Sequence, residues 1–136
     1  MKKIIPFLML SLIISSCSLS DDGDSSFVYE ILPLTQVDMP TAFAKDSTTL
    51  IPLKFIRPSS CHFFNDFYYE KDGLNRVVAI EAVRANRSDC QVTGTTETVN
   101  LKFRPATIGL YHFKFWIGSD SQGVDLFSEF DVDVNH

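Results

Sequence analysis

The chain lacks any apolar run long enough to cross a bilayer as a helix. Its longest, residues 4–14, is 11 residues, against about 20 for a spanning helix. It is also short of positive charge, with 12 Lys and Arg against 17 Asp and Glu and a formal net charge of −5. Nucleic acid is therefore excluded as an expected partner, because phosphates call for a basic stripe. Histidine is scarce too: His62, His112 and His136 are far apart, and none belongs to a metal-ligand spacing. No Gly-rich phosphate loop, Gly-x-Ser-x-Gly elbow or Ser/His/Asp set appears. The reading is of a protein that is not an enzyme, with no catalytic residue, no cofactor and no metal assigned.

What is present begins with Lys2 and Lys3, then the short apolar run, then Ser15 and Ser16 before Cys17. A basic start, an apolar stretch of this length and small residues form a secretory signal. The sequence Ile14-Ser15-Ser16-Cys17 resembles the lipobox of bacterial lipoproteins, in which the cysteine thiol takes a diacylglyceryl group and the chain is cut just before it. The resemblance implies a cleaved signal peptide over 1–16, lipidation of Cys17 and membrane attachment through that lipid. Cleavage would remove Lys2 and Lys3, taking the charge from −5 to −7. So acidic a chain has little electrostatic pull toward anionic lipid, which leaves the acyl chains as the membrane contact, at about 0.8 kcal/mol per buried CH₂.

Residues 17–26 then read as a flexible acidic tether and 27–136 as one domain. Ser18 after the lipidated cysteine implies sorting to the outer membrane. Ser20-Asp21-Asp22 resembles the surface-export signal of Bacteroidota lipoproteins, although a plain acidic linker has the same composition, so periplasmic and surface orientations both stay open. With Cys17 assigned to lipid, Cys61 and Cys90 form an even pair in an oxidising compartment, which reads as a disulfide. The alternative, a thiol nucleophile beside His62, is disfavoured because neighbouring residues on a strand point to opposite faces.

Helical periodicity is missing after Phe27, while strict alternation is common. Val99, Leu101 and Phe103 share one face; so do Tyr111, Phe113, Phe115 and Ile117, and again Phe130, Val132 and Val134. Further strands are expected at 27–32, ended by Pro33, and at 48–57, 63–70 and 76–84. About seven short strands favour a two-sheet antiparallel β-sandwich. Within it, Gly109-Leu110-Tyr111 resembles the tyrosine corner of immunoglobulin-like domains, with Phe113 where an antibody domain has its second cysteine. The resemblance implies an all-β immunoglobulin-like sandwich and nothing about activity.

Several segments are candidates for function. If Tyr111, Phe113 and Phe115 point inward, Trp116, the one tryptophan, points outward. The same parity puts Phe64 and Tyr68 on the outer face of a strand that an immunoglobulin-like sandwich places beside it. Trp116, Phe64 and Tyr68 are thus the expected partner-binding patch, for a protein or a glycan. Arg57-Pro58-Ser59-Ser60 and the 118–125 hairpin are the candidate loops of an immunoglobulin-like protease inhibitor, the rival reading. Asp120 and Asp125 lie in an oxygen-rich stretch that lacks the order of an EF-hand and serves equally as a turn. Asp46-Ser47-Thr48 resembles the O-glycosylation signal of exported Bacteroidota proteins, making Ser47 the acceptor. Asn86-Arg87-Ser88 matches the N-glycan pattern by chance. The leading expectation is a cell-envelope lipoprotein acting as a non-catalytic binding or structural accessory; a glycan-binding surface lipoprotein is a further alternative.

Overall fold

The computed structural model describes residues 26–136. The expected signal peptide, Cys17 and nearly all of the expected tether lie outside the described residues. Nine strands follow one another with no helix among the described residues: β1 (Phe27–Leu32), β2 (Leu34–Val37), β3 (Phe43–Ala44), β4 (Thr49–Ser59), β5 (His62–Asp72), β6 (Asn75–Ala85), β7 (Val92–Phe103), β8 (Gly109–Ser119) and β9 (Asp125–Asn135). Nine replace the expected seven partly because Pro33 splits one extended segment. Proline cannot donate to a ladder, and there the chain leaves β1, paired with β6, to become β2, paired with β4.

The strands form a sandwich of two sheets. One has six strands, with β6 at its centre, and the other has three in the order β2-β4-β7. Alternation supplies the core: Ile51, Leu53 and Phe55 of β4 and Leu101 and Phe103 of β7 face Val78, Ile80, Tyr111, Phe113, Phe115 and Val134 of the larger sheet. Phe103 bridges the layers, its ring edge-on to Tyr111 at 5.2 Å and to Phe113 at 5.0 Å. Such pairs add about 0.5–1.5 kcal/mol beyond the area they bury.

The tyrosine-corner contact forms as its resemblance implies. Tyr111 is buried, and its hydroxyl donates to the Thr107 carbonyl at 2.8 Å. Gly109 makes the entry possible: its φ is +142°, and a Cβ there would stand 3.0 Å from Leu74 Cδ1.

Cys61 and Cys90 are joined, with their Cα atoms 5.4 Å apart. Cys61 lies where the chain passes from β4 in the small sheet to β5 in the large one, and Cys90 where it returns from β6 to β7. The bond therefore clips together two crossovers at one end of the sandwich.

Two expectations need correction. Strands β5 and β8 are not neighbours, because β6 stands between them, antiparallel to β5 and parallel to β8 over residues 75–78. Ile117 does not continue the inward row of β8: a register shift between Trp116 and Gly118 leaves it 41% exposed.

Candidate binding groove

One flank of β6 is shared. β1 occupies it along 80–85 and β8 along 75–78, so at Ala79 the flank has neither. Past that point β1 departs at Pro33 and β8 shifts register at Ile117. The divergence opens a groove of about 470 Å³ on the outward face of the large sheet. Val77 and Ala79 line it along β6, joined by Ile31 of β1, Tyr68 and Glu70 of β5, Trp116 of β8, and Asp125 and Phe127 of β9.

The aromatic groups in this groove carry polar partners. Tyr68 donates to Glu70 Oε2 at 2.8 Å, and this bond to a carboxylate holds the phenol above its ordinary pKa. Trp116 Nε1 donates to Asp125 Oδ1 at 3.0 Å, and Ser119 Oγ donates to the same oxygen at 3.1 Å. Lys114 Nζ lies 4.4 Å from the centre of the Phe127 ring, a cation–π contact. Further along the face, His112 Nδ1 meets Asp131 at 2.5 Å and Nε2 meets Glu129 at 3.1 Å. The bond to Asp131, then that to Glu129, raises the imidazole pKa.

The structure thus brings together two of the three residues expected in the patch. Trp116 and Tyr68 share the groove; Phe64 does not. A register shift in β5 between Phe64 and Asp66 makes Asn65 an extra residue and reverses the parity on either side of it. Phe64 turns to the core, its ring centre 6.4 Å from that of Phe55 and 5.0 Å from that of Phe67. Phe127, which sequence reasoning missed, completes the aromatic lining. Its signal was present in the sequence as the residue three before Phe130 on the opposite face.

The other candidates fall elsewhere. Arg57, Pro58 and Ser59 belong to β4, and Ser60 is pinned by its backbone amide donating to the Gln91 carbonyl at 2.8 Å. In the 118–125 hairpin, Asp120 Oδ1 accepts from the amides of Gln122 and Val124 at 2.8 and 3.0 Å, so this carboxylate holds the turn. Ser47 is exposed, in a tight turn where Asp46 has a φ of 59°. Among the described residues, the group of side chains with metal-ligand spacing is Cys61, Asp89 and Cys90, and the disulfide occupies both sulfurs.

A second polar cluster is present that sequence reasoning did not find. Buried Ser59 Oγ lies 2.7 Å from His62 Nδ1, and His62 Nε2 lies 3.0 Å from Glu30 Oε2. Arg84 Nε donates to the other Glu30 oxygen at 2.8 Å and is the main cause of a lowered Glu30 pKa. The connectivity is that of a Ser-His-acid relay. Its serine, however, is only 9% exposed and already accepts from the Cys61 amide at 3.2 Å. As arranged, the relay joins β1, β4, β5 and β6 beside the disulfide. No protein family, curated protein or solved structure matches this chain.

Proposed function

We propose that this protein is a lipid-anchored cell-envelope lipoprotein whose sandwich binds a carbohydrate in the groove of its six-stranded sheet, without catalysis. The observation that carries the reading is the groove itself: Tyr68, Trp116 and Phe127 offer aromatic faces, and Glu70 and Asp125 stand beside them as acceptors. Sugar rings present apolar C–H faces edged by hydroxyl donors, which is the complement of that lining. A volume of about 470 Å³ is within the range of small-ligand sites.

The anchor rests on the lipobox at Ile14-Ser15-Ser16-Cys17, and the tyrosine corner supports an immunoglobulin-like type of sandwich. The parallel pairing of β6 with β8 is a departure from that type. The loops of an inhibitor are less well supported, because residues 57–59 are held in a paired strand.

Trp116 is the sole tryptophan, so intrinsic fluorescence reports directly on the groove. Titration with a panel of neutral oligosaccharides should give a saturable emission change. Tyr68→Ala should weaken it about tenfold, the effect of losing roughly 1.4 kcal/mol of contact. A flat response to every sugar would overturn the carbohydrate reading. Separately, Cys17→Ala should move the protein from the membrane fraction to the soluble one, and retention in the membrane would overturn the anchor.

A further inference from the structure

The most telling unexplained group is Arg76 on β6. It is 5% exposed and occupies an inward position in the row that continues through Val78 and Ile80. One terminal nitrogen donates to the carbonyls of Gly73 and Asn75, both at 2.8 Å, and the guanidinium sits 5.0 Å from the centre of the Tyr111 ring. Its Nε, also buried, has no hydrogen-bond partner, and among the described residues no carboxylate forms a salt bridge with it. Buried charges are ordinarily paired, because removal from water costs several kcal/mol per ion.

Arg76 lines a cavity of about 510 Å³ where the two sheets part between β5 and β7. Lys71, Lys102 and Arg104 also line it, and like Arg76 they form no salt bridge among the described residues. The one acidic residue of the lining is Asp66, whose Oδ1 already accepts from the Phe67 amide at 2.8 Å. Burial raises the Tyr69 phenol pKa, against the smaller opposing pull of the Arg76 charge and of a hydrogen bond between the two side chains. Four cations thus line one opening in a chain whose net charge is −5.

We propose that this seam is a binding site for an oxyanion, the carboxylate or phosphate group of a small acidic ligand, with Arg76 as its inner contact and Lys71, Lys102 and Arg104 at its mouth. A planar guanidinium suits contact with such a group. The site is independent of the carbohydrate groove, which lies on the opposite face of β5.

The test is a titration of the full-length chain, ¹⁵N-labelled, following the Arg76 Nε–H resonance assigned by its loss in Arg76→Lys. Inorganic phosphate and glucuronate are the two probes; glucose and sodium chloride at matched ionic strength are the controls. Saturable movement at millimolar concentration is expected with at least one probe and with neither control. Saturation by phosphate alone assigns a phosphate group, and by glucuronate alone a carboxylate. Because changing Arg76 risks unfolding, the second arm is the surface variant Lys71→Ala/Lys102→Ala/Arg104→Ala, expected to bind at least about tenfold more weakly. No movement with either probe, equal movement with chloride, or undiminished binding by the triple variant would overturn the proposal.

Discussion

Replacing the disulfide by the double variant Cys61→Ala/Cys90→Ala should cost most of its cross-linking free energy without changing the fold. The bond closes a sequence separation of 29 residues. On the chain-entropy model a loop of that size removes about 12 cal/mol/K from the unfolded ensemble, or about 3.6 kcal/mol at 25 °C. Against a typical domain stability of 5–15 kcal/mol, the variant still folds but with a much reduced margin. Alanine suits the test because Cys61 is 5% exposed, and serine would bury a new hydroxyl there. Urea unfolding followed by Trp116 emission measures the effect, and calorimetry should show a melting point lower by about 15 °C, taking ~2.1 cal/mol/K per residue for a domain of this size. The urea m-value should rise as well, since an uncross-linked unfolded chain exposes more surface. A loss below about 1 kcal/mol with an unchanged m-value would refute the reasoning. It would mean that the two crossovers are held together by native contacts alone.

Phe64→Ala should destabilise by about 2–4 kcal/mol and Tyr68→Ala by under about 0.5 kcal/mol, because the shift at Asn65 sends one ring to the core and the other to solvent; equal costs in chemical denaturation would contradict that parity. Tyr111→Phe should cost about 1–3 kcal/mol by stranding the Thr107 carbonyl, measured as a fall in urea midpoint at constant m-value. His112 should titrate above its ordinary value in an NMR pH series. Since its folded pKa is raised, the stability it contributes is complete below the unfolded value of 6.5 and is lost as pH rises through the folded one. Asp131→Asn should bring that midpoint down, and an unmoved midpoint would show that the carboxylate does not hold the ring.

Alternation made the interior legible. Ile51, Leu53 and Phe55, Leu101 and Phe103, and Tyr111, Phe113 and Phe115 could be assigned to the core because a strand's side chains have a period of two. The same rule explains the failures at Phe64 and Ile117, since one extra residue in a strand reverses the parity beyond it. Neither Asn65 nor Ile117 has a residue type that announces a shift. Neighbour relations were illegible for another reason: a hairpin such as β5–β6 can dock onto β8 through either strand, and an alternating pattern reads the same in both cases. The cluster of Ser59, His62 and Glu30 was hidden by distance, since Glu30 reaches His62 across 32 positions and no local spacing encodes it. Trp116 and Tyr68 line one groove despite the mistaken neighbour relation, because Val77 and Ala79 of the intervening β6 form its floor between them.

The charges around the seam bear two kinds of explanation, and Arg76 separates them. Strands β5 and β7 each pair on one side only, with β6 and β4, and open edges are commonly guarded by lysine, whose charge discourages edge-to-edge association. Lys71 and Lys102, exposed near the ends of those edges, have the placement of such guards. Arg76 does not, because a guard must reach solvent and this guanidinium is buried over Tyr111. Anchoring the β5–β6 turn explains one nitrogen, which bonds Gly73 and Asn75, but a neutral amide donor would serve the same carbonyls without the cost of burying a charge. What remains is a positive charge inside the sandwich, beside an opening whose walls carry three more. If guarding were the whole role of the wall cations, removing all three would promote association of the chain and leave the Arg76 resonance indifferent to phosphate and glucuronate; if they serve the buried charge, ligand response and the wall must fail together.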